Sequence, residues 1–370
     1  MEKKLIYITS NRIPSEKANS FQTISTVNFL ADYFDKIFVL FPKRKTQRIN
    51  ESIKDFYGVE KKFFLKEIFT LDTKIYMVSK YLWNLILKGS FYISLVLYLI
   101  KNKSEIIYTR DVYVAIIISF LRRIGLIQPQ KIIFESHVVK DHLINFLKFV
   151  DGIITINEFQ KKVYERKLSI KIKTIHDGVT LKKIKPFKKQ NDKIKLLYTG
   201  NLSADKGVYT LLEAYQRLDK KYELDIVGGS PDLLDNFKKI ASKKKRIPNI
   251  HGYVKQSEML KFVEKAEILI IPNSSKFKSN LYTSPMKLFE YMSYKRLIIA
   301  SDIPAIKEVL VDKKDCIMFM SDNHTDLSKT IQNYNDYEYD YLIKNSFKKV
   351  KEFTWEERAK NIYEFMRKEI

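Results

Sequence analysis

Cysteine is nearly absent: Cys316 is the only one in 370 residues. That excludes an intramolecular disulfide and a cysteine-rich zinc site, and a reducing, cytoplasmic setting is expected. The signatures of several common chemistries are missing as well. There is no HExxH of a zinc peptidase, no GxxxxGK phosphate loop and no GxGxxG dinucleotide turn. Long apolar runs are scarce. The longest, Tyr81 to Ile100, is broken by Lys88 and Gly89, and only the 11 residues from Ser90 onward are free of charge. A membrane span needs about 20 apolar residues. A buried helix with a face that touches lipid is expected instead. The charged start, Met1 to Lys4, and the short apolar stretch Leu5 to Thr9 suit a first strand better than a secretory leader. Self-similarity at solenoid periods is also lacking.

Negative charge is in deficit. The chain has 67 basic and 43 acidic residues, a formal charge of +24. The excess is spread out: residues 1–180 hold 30 basic and 17 acidic side chains, the rest 37 and 26. Such a field favours anionic partners, among them nucleotides and anionic lipid. Solvated lysines of a Lys- and Ile-rich proteome are the bland alternative. Without a concentrated basic stripe or a recognised module, no nucleic-acid partner is expected.

What is present is a strand–helix alternation in two halves, with 45% hydrophobic residues to fill their cores. The first half has expected strands at Lys4 to Thr9, Lys36 to Phe41, Ile106 to Tyr108, Lys131 to Phe134 and Gly152 to Thr155. Helices are expected at Phe21 to Tyr33 and near 112–124, 138–149 and 157–167. Residues 43–75 are weakly patterned and suggest an insertion or a surface helical region. The polar, Lys-rich stretch Lys182 to Lys193 is expected as the linker. The second half has strands at Ile194 to Tyr198, Glu223 to Val227, Asn249 to Gly252, Ile268 to Ile271 and Leu297 to Ala300. One amphipathic helix around Trp355 closes the chain. The alternation predicts α/β domains with parallel, doubly wound sheets.

Ligands of such sheets bind beyond the carboxyl ends of the strands. Around Thr283 to Val309, Ser284 suits an N-cap and Pro285 a first helical position. The free amides behind them form an anion site, and Glu290 is placed to accept hydrogen bonds from ribose hydroxyls. This segment predicts a nucleotide-diphosphate pocket. In YTGNLSADKG, Tyr198 to Gly207, Lys206 opens a helix and suits a diphosphate, although a solvated lysine would look the same. Gly228 and Gly229 follow a strand, and serve either close ligand approach or a plain turn. The loop at His251, Gly252, Tyr253 and Val254 could meet a base edge through its main chain; His251 itself equally suits a satisfied surface histidine. In the first half Glu135-Ser136-His137 ends a strand, so His137 is a candidate for a sugar hydroxyl or a leaving group. Asn19 or Ser20 is expected to cap the helix that follows, with or without a ligand. No Asp-x-Asp pair occurs anywhere. Many sugar-nucleotide enzymes hold a divalent ion with that pair, so metal-independent use of the nucleotide, with no cofactor, is expected.

Taken in order, these segments resemble a retaining glycosyltransferase of the GT-B fold, in glycosyltransferase family 4 (glycosyl transferases group 1). The matching pieces are Gly-x-Leu-x-x-x-Lys-Gly at 200–207, Val-Gly-Gly at 227–229, Gly-Tyr-Val at 252–254, Lys-x-x-Glu-Tyr-Met at 287–292 and Ala-Ser-Asp-x-Pro at 300–304. Glu-Ser-His at 135–137 and Asp-Gly-Val at 177–179 complete the set. The resemblance implies two Rossmann-like doubly wound domains facing across a cleft, 1–182 for the acceptor and 183–352 for the donor. It also implies that a terminal helix, 353–370, crosses back to the first domain. It implies that Lys206 binds the donor diphosphate, Glu290 the ribose, the amides of Ser284 to Met286 phosphate or sugar, and His137 the donor sugar. Asn19, Gly200, Asn201, Gly228, Gly229, Tyr253, Val254, Tyr282, Thr283, Pro285 and Lys287 complete the implied donor site. The family often carries Arg where Asn201 stands, so Lys287 is expected as the second phosphate cation. Its first paired glutamate would fall at Tyr282.

The expected reaction is transfer of a hexose-type sugar, UDP- or GDP-linked, to a glycan or lipid-linked acceptor with retention. The expected setting is microbial cell-surface polysaccharide or glycoconjugate assembly, with peripheral contact on the anionic inner face of the membrane. The alternatives are a GT-B fold sugar-nucleotide epimerase, a catalytically silent partner subunit and a non-catalytic basic binding protein.

Overall fold

A computed structural model describes residues 3–15, 18–45, 52–60, 62–73, 79–102, 105–184, 192–282 and 286–370. Its contacts divide the chain into two units, Met1–Gly178 with Trp355–Ile370, and Val179–Thr354. In chain order the first unit has strands β1 (Lys4–Ile8), β2 (Lys36–Pro42), β3 (Phe64–Ile68), β4 (Ile106–Thr109), β5 (Lys131–Ser136), β6 (Gly152–Thr155) and β7 (Lys171–Thr174). They form one parallel sheet in the order β3-β2-β1-β4-β5-β6-β7. The second unit has β8 (Ile194–Thr199), β9 (Tyr222–Val227), β10 (Asn249–Gly252), β11 (Ile268–Ile271), β12 (Leu297–Ser301) and β13 (Ile317–Phe319). Its order is β10-β9-β8-β11-β12-β13, again parallel. Both are doubly wound Rossmann-like sheets whose strand order reverses beside the first strand, between β1 and β4 and between β8 and β11.

The sequence dictates this because the central strands are apolar on both faces. Leu5 and Tyr7 enter one core cluster and Ile6 and Ile8 the other. Leu196 and Tyr198 divide from Leu197 in the same way. Alternate side chains leave opposite faces of a strand, so helices must cover both sides. Several helices start on side-chain caps. Asp111 Oδ1 accepts from the amides of Tyr113 (2.9 Å) and Val114 (3.3 Å), and Asn157 Oδ1 from Gln160 N (2.9 Å).

The terminal helix, Trp355–Glu364, packs on the helix Ala18–Leu30 of the first unit. Phe21 meets Trp355 edge-on at 6.2 Å, and Tyr33 stacks on Tyr363 at 4.9 Å. A Cβ at Gly178 would lie 2.6 Å from the Trp355 ring, so only glycine lets the indole sit there.

Three expectations change. Residues 43–75, expected as an insertion or a surface helical region, hold among their described residues one short helix, Ile53–Tyr57, and β3, which pairs with β2 as part of the sheet. β7 and β13 were not foreseen either. All three strands lie at sheet edges, where the pattern of a strand buried on both faces does not apply. Finally, the helix expected near 138–149 is a 3₁₀ run, Asp141–Phe149.

Candidate functional site

In the second unit the loop after β8 is built against its neighbours through glycines. Gly228 has φ of +116°, and a Cβ there would meet the Gly200 carbonyl at 2.3 Å. Two strand-end loops thus lie backbone against backbone. Asn201 joins them further: its Oδ1 accepts from the amides of Leu202 (3.0 Å) and Ser230 (3.3 Å). Leu202 fills the space beside Gly229. Gly207, at φ +67°, begins the helix Val208–Tyr215 against the Pro272 carbonyl, where a Cβ would clash at 1.7 Å. These contacts hold the Ala204–Lys206 turn over the carboxyl end of β8, beside the point where the strand order reverses.

Four charged side chains gather there. Lys206 pairs with Asp205 (3.0 Å) and remains partly exposed. Lys287, from the helix Met286–Ser293, lays its ammonium over the Tyr198 ring at 4.1 Å, against Gly200. Desolvation, with Lys206 nearby, brings the Lys287 ammonium down to about 7, against the pull of Glu290 and Asp205. Glu290, one turn further along, is raised by desolvation and held back by Lys182 and Lys287. Tyr291 fixes this helix to β8: its hydroxyl accepts from Thr199 N at 2.8 Å. Two ammonium groups and two carboxylates are therefore held together by rigid elements, with the Lys287 ammonium desolvated beside Lys206. An anion would relieve that repulsion.

Other expected residues fall as follows. Thr283, Ser284 and Pro285 lie outside the described residues, and so does the Tyr282 side chain. Met286 is the first residue of the helix after them. Tyr253 is largely exposed, whereas Val254 packs on a core cluster. His251 is paired with Asp225 (2.6 Å) and rests on the Phe262 ring, as a satisfied surface histidine does. Asp302 anchors its turn by accepting from Ser321 N at 2.9 Å.

In the first unit the strand ends carry a buried ionic cluster. Glu135 Oε1 accepts from Arg358 Nη2 (2.7 Å) and pairs with His137 Nε2, with Arg110 Nε at 3.7 Å. Arg110 donates to Gln22 Oε1 (2.8 Å), and Gln22 Nε2 donates to Asp177 Oδ2 (2.7 Å). Arg358 also donates to the carbonyls of Ile175 (2.7 Å) and His176 (2.5 Å). Burial, reinforced by Arg110 and Arg358, holds His137 well below its usual range, despite Asp177. The imidazole is neutral at pH 7. With Nε2–H directed at Glu135, its Nδ1 is the acceptor. The ligand atoms of Glu135, His137 and Asp177 lie within 4.8 Å of one another. Two guanidinium groups already compensate these carboxylates, so the set suits an internal ion network better than a divalent cation. Asn19 and Ser20 do not cap their helix, which begins at Ala18. Asn19 instead gives its carbonyl to Arg110 Nη1 (3.2 Å), and Ser20 Oγ donates to the Arg12 carbonyl (3.0 Å).

Residues 193–335 match the family model described as glycosyl transferases group 1. The match lies within the second unit. Solved structures match over nearly the whole chain. The lipopolysaccharide outer core galactosyltransferase WaaB, in its apo form, is 15% identical with a TM-score of 0.72, covering 99% of this chain and 100% of its own. Sucrose-phosphate synthase from Thermosynechococcus elongatus is 15% identical with a TM-score of 0.76, covering 99% and 98%. Anabaena HepE, in complex with UDP and glucose, is 10% identical with a TM-score of 0.69, covering 98% and 99%. These likenesses establish the GT-B fold of two Rossmann-like domains. No curated protein matches the chain's sequence significantly.

Sequence reasoning missed Lys182, Arg110 and Arg358. Arg110 follows β4 directly, just before the capping Asp111, and its strand-end position was a usable signal. Arg358 sits in WEERAK, a run that reads as a solvated helix face and gives no sign of burial.

Proposed function

We propose that this chain is a metal-independent retaining glycosyltransferase. It moves a hexose-type sugar from a UDP- or GDP-linked donor to a glycan or lipid-linked acceptor, in cell-surface polysaccharide or glycoconjugate biosynthesis in the cytoplasm. The observation that carries the reading is the convergence of Lys206, Lys287 and Glu290 beyond β8, inside the segment that matches glycosyl transferases group 1. Lys206 and Lys287 hold the donor diphosphate, and Lys287 takes the place of the arginine that Asn201 lacks. Glu290 accepts from the ribose hydroxyls. The UDP and UDP-glucose complexes of Anabaena HepE support a uridine donor.

The chemistry follows from this placement. As the bond from the sugar's anomeric carbon to the diphosphate breaks, negative charge grows on the leaving oxygen. The two ammonium groups are already in place to stabilise it. The acceptor oxygen enters on the face the diphosphate leaves, and a phosphate oxygen takes its proton. In the first unit, neutral His137 presents Nδ1 to a sugar hydroxyl.

The test is release of nucleoside diphosphate from UDP-glucose, UDP-galactose and GDP-mannose, with and without lipid-linked acceptors. Acceptor-dependent release is expected, and Glu290→Gln should lower kcat/KM at least ~tenfold, the loss of one charged hydrogen bond. Isomerised donor without acceptor would replace transfer by epimerisation. Wild-type turnover in Glu290→Gln would remove the ribose assignment.

A further inference from the structure

The helix Lys80–Lys101 is apolar on both of its faces. It has 22 residues and a mean hydropathy of 1.5 over its most apolar window. Leu87, Phe91, Leu95 and Leu99, each four residues apart, form one stripe and are buried in the core of the first unit. At the helical repeat, Leu82, Leu85, Ile93, Leu97 and Ile100 fall on the opposite side, and all are exposed, Ile93 to 66%. The apolar surface continues past the helix. Ile100 and Leu126 line one cavity of about 190 Å³, next to the exposed Ile124. Isolated exposed leucines are ordinary, but five large apolar side chains along about five turns of one helix, interrupted only at Gly89, are not.

The charges on this helix are of one sign. The helix has Lys80, Lys88 and Lys101 and no acidic residue, and exposed Arg123 adjoins Ile124. The chain as a whole carries +24. A second copy would bring the same cations against themselves, whereas an anionic surface complements them. The helix cannot span a bilayer in this fold, because its buried stripe is committed to the core. It can lie in the plane of one, with its outer leucines and isoleucines among the acyl chains and the flanking Lys101 and Arg123 at the headgroups.

We propose that the outer face of the helix Lys80–Lys101 docks the first unit flat on an anionic lipid bilayer. Vesicle binding needs neither donor nor acceptor, so it reads this face independently of sugar transfer. The experiment is co-sedimentation of the full chain with phosphatidylcholine vesicles, with and without phosphatidylglycerol. The wild-type chain should bind the anionic vesicles, less so at high salt, and bind pure phosphatidylcholine poorly. The variant Leu85→Glu/Ile93→Glu/Leu97→Glu should bind at least ~tenfold more weakly with an unchanged melting temperature, since all three sites are exposed. An environment-sensitive fluorophore on Ile93→Cys gives a second readout without charge substitution. Cys316 is fully buried, so labelling is selective. Its emission should shift to the blue with anionic vesicles alone. Absence of wild-type binding, equal binding by the triple variant, or an unshifted label would overturn the proposal. So would a dimer that the triple variant dissociates while vesicles go unbound, which would make the face a contact between copies.

Discussion

Lys287 is the residue where chemistry and fold meet most closely. Its stem packs beside Gly200 and its ammonium on the Tyr198 ring, so the charge has little water and a like neighbour in Lys206. In the free protein it titrates at about 7, from an ordinary 10.5. A diphosphate favours the ammonium and so raises that value. Above about pH 7, binding therefore takes up a proton, and affinity falls as pH rises, by up to about tenfold per unit. A nucleoside diphosphate sugar is the right probe, because its two phosphates do not titrate in this range. Calorimetric titration at about pH 6 and about pH 8.5 should show the loss, and Lys287→Arg, which stays charged, should flatten it. An equal slope in both proteins would place the titrating group elsewhere. Asn201 shows the opposite relation. Its side chain is spent on joining two loops through the amides of Leu202 and Ser230.

At the scale of elements, the terminal helix is fixed to the first unit by a charge as well as by rings. Arg358 is buried and answers Glu135 and two carbonyls. Arg358→Met removes the cation and leaves a buried carboxylate, which costs about 3–5 kcal/mol of stability. Urea denaturation checks this, and adding Glu135→Gln should return part of the loss. A single-variant cost under about 1 kcal/mol would mean the pair is solvated. The elements that were legible beforehand share one property. β1, β4, β6, β8, β11 and β12 are short apolar runs buried on both faces between turn residues, a pattern that only an interior strand needs. FLKEI of β3 and KIKT of β7 are half polar and lie at edges, where solvent lifts that requirement. The convergence of Lys206, Lys287 and Glu290 was legible because all three stand near helix starts at strand ends. Arg358 and Lys182 reach their partners across long sequence separations, which local pattern does not encode.

For the whole molecule, the two sheets share one order over six strands, with β7 added at the edge of the first, and each brings polar residues to the carboxyl ends of its strands. The first unit holds a charge-compensated ion network around a neutral histidine and carries an apolar helix face outside. The second gathers Lys206 and Lys287, with Asp205 and Glu290, above β8. This division suits a protein that takes its donor in the second unit and meets a surface with the first. The central claim is that the charge above β8 is a diphosphate site. Its most direct test is calorimetric titration of UDP, UDP-glucose, GDP-mannose and ADP-glucose, without added metal, into the wild-type chain and Lys206→Ala. The account predicts metal-independent binding of one nucleotide class, with affinity at least ~tenfold lower in Lys206→Ala, the value of one charge-assisted contact. Binding with equal affinity in the two proteins, or no binding of any member of the panel, would contradict it.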